Sequence, residues 1–202
     1  KVNAVIHSQE KLAEGIYSMW LDAPEMAKAA VPGQFIAVYT NDQSKLLPRP
    51  ISICEADKEN GRLRIVYRIA GAGTKEFSAY KEGDTLDIMG PLGNGFPLKK
   101  KKAFLIGGGI GIPPMLELAK NLDCEKETFL ADELRKYADV VIATEDGSVG
   151  TKGNVIDAIR AEKLTADIIY ACGPTPMLKA LKTYAMENGI ECYISLEEKM
   201  AC

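Results

Sequence analysis

The sequence predicts two architectures in tandem: a six-stranded antiparallel barrel followed by a doubly wound parallel sheet with helices. Three observations predict it. Residues 3 to about 90 hold six short strand-like runs separated by turn signals. From about residue 99 apolar runs alternate with segments of helical spacing. The first of those runs, AFLIGGGIGIPPM (Ala103 to Met115), passes from an apolar strand through a glycine-rich turn into a helix.

The six runs of the first half are NAVIHS, GIYSMWLDA, GQFIAVYT, RPISICEA, GRLRIVYRIA and DTLDIMG. Ala23-Pro24, Val31-Pro32-Gly33, Asn60-Gly61 and Gly83-Asp84 punctuate them as turns, the spacing of a small closed or nearly closed barrel. Between the fifth and sixth runs a helix is expected from Thr74 to Lys81, introduced by Gly71 and Gly73. Three pieces of this half offer more than packing. In Leu47-Pro48-Arg49-Pro50-Ile51-Ser52 the prolines hold the backbone extended and fix where Arg49 points. A guanidinium fork suits phosphate, although an exposed arginine at a strand start is the plainer reading. In Val66-Tyr67-Arg68 alternation sends Tyr67 and Arg68 to opposite faces, and judged alone Tyr67 belongs to the core. In Gly71-Ala72-Gly73-Thr74, Thr74 is a candidate helix cap whose amide and hydroxyl could meet a phosphate.

The second half is expected to begin near residue 98, giving domains at 1–98 and 99–196 with a tail at 197–202. Strands are expected at 103–106, 140–143, 167–171 and 190–196, and helices at about 113–122, 130–138, 153–162 and 174–188. Ligands of such sheets lie at the carboxyl ends of the strands. Gly107, Gly108, Gly109 and Gly111 would let a phosphate approach backbone amides at a helix start, and Pro113-Pro114 suits the first helical turn. The turn is not GxGxxG, and on its own a glycine-rich surface turn explains it as well. Between Cys124 and Phe129 no second apolar strand follows the first helix, so either the sheet is shortened there or a segment is missing; the order of the flanking elements favours the latter.

Bulk properties exclude several classes. With 202 residues, 47% hydrophobic and 26% charged, the chain can bury one large core or two small ones. A net charge of −3 gives no footprint for nucleic acid, and the run Lys99 to Lys102 reads as a solvated linker. No apolar run approaches the roughly 18 residues of a membrane span, and no leader-like segment is visible. Five cysteines, Cys54, Cys124, Cys172, Cys192 and Cys202, are odd in number and lack CxxC spacing, which points to reduced thiols and a cytoplasmic location. His7 stands apart from every motif and is expected to be structural.

RPIS, the YR strand, GAGT and GPLGNGF (Gly90 to Phe96) occur in that order, and together they resemble the flavin-binding barrel of the ferredoxin–NADP reductase superfamily. The resemblance implies that Arg49, Pro50, Ile51, Ser52, Val66, Tyr67, Arg68, Gly73 and Thr74 bind FAD, with arginine and serine at the pyrophosphate and isoalloxazine. It also implies that Gly107, Gly108, Gly109, Gly111, Cys172, Gly173, Pro174 and Met177 bind NAD, the cysteine of CGP lying near the nicotinamide. A buried small thiol before a helix is the plainer account of Cys172.

The ending Glu197-Glu198-Lys199-Met200-Ala201-Cys202 is similar to the segment that leads into a cysteine-rich tail in electron-transfer subunits of the two-subunit, NAD-dependent (class 1B) dihydroorotate dehydrogenases. In that family the tail binds a [2Fe–2S] cluster through four cysteines, so the resemblance makes Cys202 a metal ligand whose companions this chain lacks. It implies an oxidoreductase subunit of pyrimidine (UMP) biosynthesis: a cytoplasmic electron-transport flavoprotein joining NAD, FAD and the cluster to an FMN-containing catalytic subunit in a heterotetramer. No catalytic acid or base is nominated, because hydride transfer needs none. The alternatives are an NAD(P)H–ferredoxin oxidoreductase-type subunit of another electron-transfer or bifurcating complex, and a cofactor-free binding module on the same fold.

Overall fold

The computed structural model describes residues 1–42, 46–122, 131–134 and 136–196. They form two compact units, Lys1–Gly95 and a second beginning at Phe96.

The first unit is a closed antiparallel barrel of β1 (Val2–Ala13), β2 (Ile16–Asp22), β3 (Phe35–Val38), β4 (Arg49–Asp57), β5 (Arg62–Arg68) and β6 (Thr85–Leu92), in the order β1-β2-β5-β4-β3-β6. All six expected strands are present. Alternation dictates the interior: Ile6, Met19, Leu21, Ile36, Ile53, Leu63, Ile65, Leu86 and Ile88 point inward and are fully buried. Two helices differ from expectation. Ala23-Pro24 begins not a turn but α1 (Pro24–Ala29), with proline at the first helical position and Met26 and Ala27 buried. Six residues are too few to show a helical period. The helix expected at 74–81 is α2 (Ala72–Phe77), which starts earlier because Gly71 takes the N-cap in an extended conformation.

The second unit holds a three-stranded parallel sheet in the order β11-β10-β7, made of β7 (Ala103–Gly107), β10 (Ile168–Cys172) and β11 (Glu191–Ser195). The central strand β10 is buried on both faces. Ile169 and Ala171 pack with residues of α5 (Val155–Ala161) and α6 (Thr175–Asn188), whereas Ile168, Tyr170 and Cys172 pack with Met115 and Leu118 of α3 (Pro113–Asn121). Helices on both faces make it doubly wound. α4 is the short Ala131–Leu134.

The expected strand at 140–143 does not join this sheet. Only Ala143–Thr144 (β8) pairs, in parallel, with Thr151–Lys152 (β9). Gly147, Gly150 and Gly153 all have positive φ and turn the chain back on itself, so that the Thr151 amide donates to the Ile142 carbonyl at 2.8 Å. The stretch expected to lack a strand, Cys124 to Phe129, lies outside the described residues.

The lysine run is largely exposed to solvent, as expected, and three of its side chains are also paired. Lys99 and Lys101 (3.1 Å) both pair with Glu191 at the start of β11, and Lys102 Nζ donates to Thr165 Oγ1 at 3.0 Å. The Lys99 ammonium, with Tyr193 and Lys101, holds the Glu191 carboxyl down to about 2.

Candidate functional site

In the barrel unit, β4 and α2 bring RPIS and GAGT together. Arg49 opens β4 opposite Val38, and one guanidinium nitrogen donates to the Leu47 carbonyl. The rest of the guanidinium lies flat on Gly73: a Cβ there would stand 2.5 Å from Arg49 Nε and 2.8 Å from Cζ. Glycine at 73 therefore makes room for the arginine, a reason for the motif that sequence alone does not reveal. Ile51 points into the barrel core, while Pro50 is exposed and Ser52, opposite Phe35, is half-buried.

Thr74 is not the cap expected of it. It occupies the third helical position, and its hydroxyl accepts the amides of Ala70 (2.9 Å) and Gly71 (3.2 Å) while donating to the Gly71 carbonyl. Its hydroxyl is thus used to bend the loop into α2. Tyr67 and Arg68 face opposite ways as alternation requires: Tyr67 is 2% exposed, Arg68 is exposed, and Val66 is buried on Arg68's side of the strand. The Tyr67 hydroxyl donates to Gln9 Oε1 at 2.9 Å, its ring stacks on Tyr17 and meets Phe77 edge-on, and burial pushes its phenol well above its ordinary range. Tyr67 is a core residue that supports α2. GPLGNGF packs back on the approach to β3, where Gln34 Nε2 donates to the Gly93 carbonyl at 2.9 Å.

In the second unit, the two glycine-bearing turns lie side by side at the carboxyl ends of adjacent strands. Gly107 pairs with Cys172, and the Gly108 amide donates to the Cys172 carbonyl at 2.9 Å. A Cβ on Gly111 would strike that carbonyl and stand 2.5 Å from its carbon. One on Gly108 would meet Met177 Sδ and Pro174 Cδ at 2.8 Å each, and one on Gly173 would meet Met177 Cε at 2.6 Å. Gly107 is pressed against Ile112, at 2.6 Å from its Cα, while Gly109, with φ +57, stands open. Of these four glycines in the first turn, Gly107 and Gly111 thus serve close packing against backbone, and Gly108 makes room for the Met177 and Pro174 side chains.

The amide cradle is narrower than expected. The Gly108, Gly111, Ile112 and Met115 amides are spent on the Cys172, Gly108, Gly109 and Ile112 carbonyls, and Pro113 and Pro114 have none. The amides of Gly109 and Ile110, at the tip, lie outside these bonds. Cys172 is 1% exposed, with its side chain among Met115, Leu118 and Tyr170, as a small buried thiol would be.

Sequence reasoning missed Gln9 and Glu76, which hold α2 from either side. The spacing of Glu76 and Tyr80 was visible as an i, i+4 pair, but their backbone partners are remote in sequence and carry no signal. His7 lies 3.9 Å from Asp22, outside both sites. Among the described residues no three His, Cys, Asp or Glu side chains come together to hold a metal ion, and Cys202 lies outside them. No described helix is long and apolar enough to cross a membrane.

Comparison with known proteins agrees with this geometry. The oxidoreductase FAD-binding domain family matches residues 3–96. The chain is 39% identical over 220 residues to "Dihydroorotate dehydrogenase B (NAD(+)), electron transfer subunit" of Bacillus velezensis, covering all of the chain and 85% of that relative. It is 43% identical to the protein of the same name from Streptococcus mutans, covering all of the chain and 84% of the relative. Among solved structures, one described as an NADH-dependent reduced ferredoxin-NADP oxidoreductase superposes with a TM-score of 0.82 at 29% identity, over all of this chain and 78% of that one. With an FAD-binding barrel, a doubly wound second unit and identity of this extent, the chain belongs to the family of electron transfer subunits of dihydroorotate dehydrogenase B (NAD(+)), an oxidoreductase.

Proposed function

We propose that this chain carries electrons between NAD(H) and an FMN-containing dihydroorotate dehydrogenase catalytic subunit in pyrimidine biosynthesis, using FAD held by the barrel unit. The observation that carries the reading is the Arg49 guanidinium laid on Gly73, which puts a fixed cation at a helix entrance in a chain that is 39–43% identical to named electron transfer subunits. Bound FAD supplies a ring that takes a hydride and releases electrons singly.

The protein's own residues supply position. Arg49, already oriented by Pro48, Pro50 and Gly73, presents a planar fork to a diphosphate. Gly73 keeps the backbone close to that fork. Ser52 and Arg68 lie on the outward face where an isoalloxazine would sit, with the buried Val66 on the same side of its strand and Pro50 and Ile51 fixing the neighbouring one. Tyr67 and Thr74 act from behind, by holding α2 and bending its entrance. In the second unit, Gly109 and Ile110 offer their amides to an NAD phosphate, and Gly107, Gly108, Gly111, Gly173, Pro174 and Met177 shape the crevice beside them. Cys172 acts through its carbonyl, which fixes Gly108.

We assign FAD to residues 1–98 and NAD to 99–196, and place the protein in the cytoplasm within a heterotetramer containing two subunits of each kind. Cys202 is retained as one candidate ligand of a [2Fe–2S] cluster, although the described residues bring no metal-binding set together. The alternative partner, a ferredoxin-linked or bifurcating complex, is favoured by the solved structure at 29% identity. The test is reconstitution: FAD-loaded protein mixed with a dihydroorotate dehydrogenase catalytic subunit is expected to make dihydroorotate reduce NAD⁺. Reduction of ferredoxin by NADH, with no dihydroorotate-dependent signal, would move the chain to the alternative.

A further inference from the structure

α2 has six residues, and every turn of it is fixed to a different part of the barrel. Thr74 bends its entrance, Gly73 carries Arg49, and Phe77 is fully buried. Gln9 of β1 donates to the carbonyls of Phe77 (3.1 Å) and Tyr80 (2.8 Å) just beyond its end. Glu76 faces the remaining side. Its Oε1 accepts the backbone amides of Asn41 at 2.7 Å and Asp42 at 3.3 Å, together with the Tyr80 hydroxyl at 2.5 Å. Asn41 is held further by its own side chain, which donates to the Thr85 carbonyl at 3.3 Å.

Asn41 and Asp42 follow β3, and the chain runs from them through Leu47 and Pro48 into Arg49. Val38, at the end of β3, is paired with Arg49. One carboxylate oxygen therefore ties the chain leaving β3 to the helix on which Arg49 lies, one turn from the contact itself. Two consecutive amides and a hydroxyl converging on one atom call for an anionic acceptor, whose charge-assisted bonds are shorter and stronger than neutral ones.

We propose that Glu76 is a positioning residue for FAD: by gathering the Asn41 and Asp42 amides it holds Arg49 in register over Gly73 and so slows release of the flavin. The proposal rests on the reading of the barrel as the FAD site. It deepens that reading by assigning retention of the cofactor to a carboxylate outside the RPIS, YR and GAGT motifs.

The test measures the FAD dissociation rate from the reconstituted full chain, beside the melting midpoint of the flavin-free protein. Glu76→Ala is expected to release FAD about tenfold faster, because the Asn41 and Asp42 amides lose their shared anionic acceptor and Asn41 keeps only the longer bond to the Tyr80 hydroxyl at 3.4 Å. Glu76→Gln keeps an acceptor oxygen and is expected to stay within about threefold of the wild type. Tyr80→Phe, which keeps its ring and loses one bond to Glu76, is expected to release FAD about threefold faster. Flavin-free midpoints of the Gln and Phe variants are expected within about 3 °C of the wild type. Wild-type release from Glu76→Ala would overturn the proposal. So would equal acceleration in the Ala and Gln variants that follows an equal fall in the flavin-free midpoint, which is the mark of a merely structural carboxylate. If Glu76→Ala does not fold, Tyr80→Phe decides, and wild-type release from it overturns the proposal. A wild-type protein that takes up no FAD would instead overturn the reading of the barrel.

Discussion

Around α2 in the barrel, Arg49, Thr74, Glu76 and Gln9 each reach in with a polar side chain; in the turns after β7 and β10, side chains are left out at Gly107, Gly108, Gly111 and Gly173. The first arrangement can lose a member and still close, since a shortened side chain leaves a gap that water fills. The second cannot gain one at Gly107 or Gly111, where the added carbon meets backbone that has nowhere to go. Gain of a methyl group at Gly111 is therefore the severer probe, and loss of a polar side chain around α2 the milder one.

The largest effect is expected from Gly111→Ala, whose new Cβ would strike the Cys172 carbonyl. Displacing the turn is expected to slow reduction of the flavin by NADH roughly 100-fold, while FAD uptake by the barrel stays as in the wild type. Uptake lost together with reduction, as read by flavin fluorescence, would break the contrast between the two units. Arg49→Ala comes next. Removing a charged fork is expected to raise the FAD dissociation constant roughly 30-fold, with the flavin-free melting midpoint nearly unchanged. Gly73→Ala sharpens the comparison, because here the added Cβ meets the end of a flexible arginine rather than backbone. Its expected cost in FAD affinity is about fivefold, the effect of an off-rotamer guanidinium. An effect as large as that of Gly111→Ala would show that Arg49 is as immobile as main chain.

The smallest effect concerns pH. Bonds from Lys99, Tyr193 and Lys101 lower the Glu191 carboxyl from its ordinary 4.5 to about 2. A group whose folded value is depressed contributes stability above its unfolded value and loses it as pH falls between the two. The midpoint of the second unit is thus expected to decline between pH 4.5 and about 2 less steeply in Glu191→Gln than in the wild type. The difference should shrink with added salt, since the pair is partly exposed. Equal slopes would mean that the lysine run is not held by Glu191 in solution.

Much of this was legible in the sequence, for identifiable reasons. The barrel strands alternate and are bounded by Gly, Pro and Asn-Gly turns, so all six could be placed within a few residues, and RPIS and GAGT, grouped by the family resemblance, meet where Arg49 lies against Gly73. The parallel strands β7, β10 and β11 announced themselves as short apolar runs. Val140 to Ala143 has the same composition but is turned aside by three glycines with positive φ, a tertiary choice that composition does not record. Thr74 was assigned to the wrong cap position because Gly71, without a side chain, gives no sign that it is the N-cap. The role of Glu76 was invisible for a different reason: its partners are backbone amides, which every residue but proline has.

The central claim is that the barrel holds FAD and the second unit delivers NADH to it. The most direct measurement is the visible spectrum of the FAD-loaded protein, kept free of oxygen, before and after NADH. The account predicts flavin bands that bleach with NADH in the wild type and persist in Gly111→Ala, with equal FAD content in both. Absence of flavin bands after incubation with FAD, or bands that NADH leaves untouched in the wild type, would contradict it.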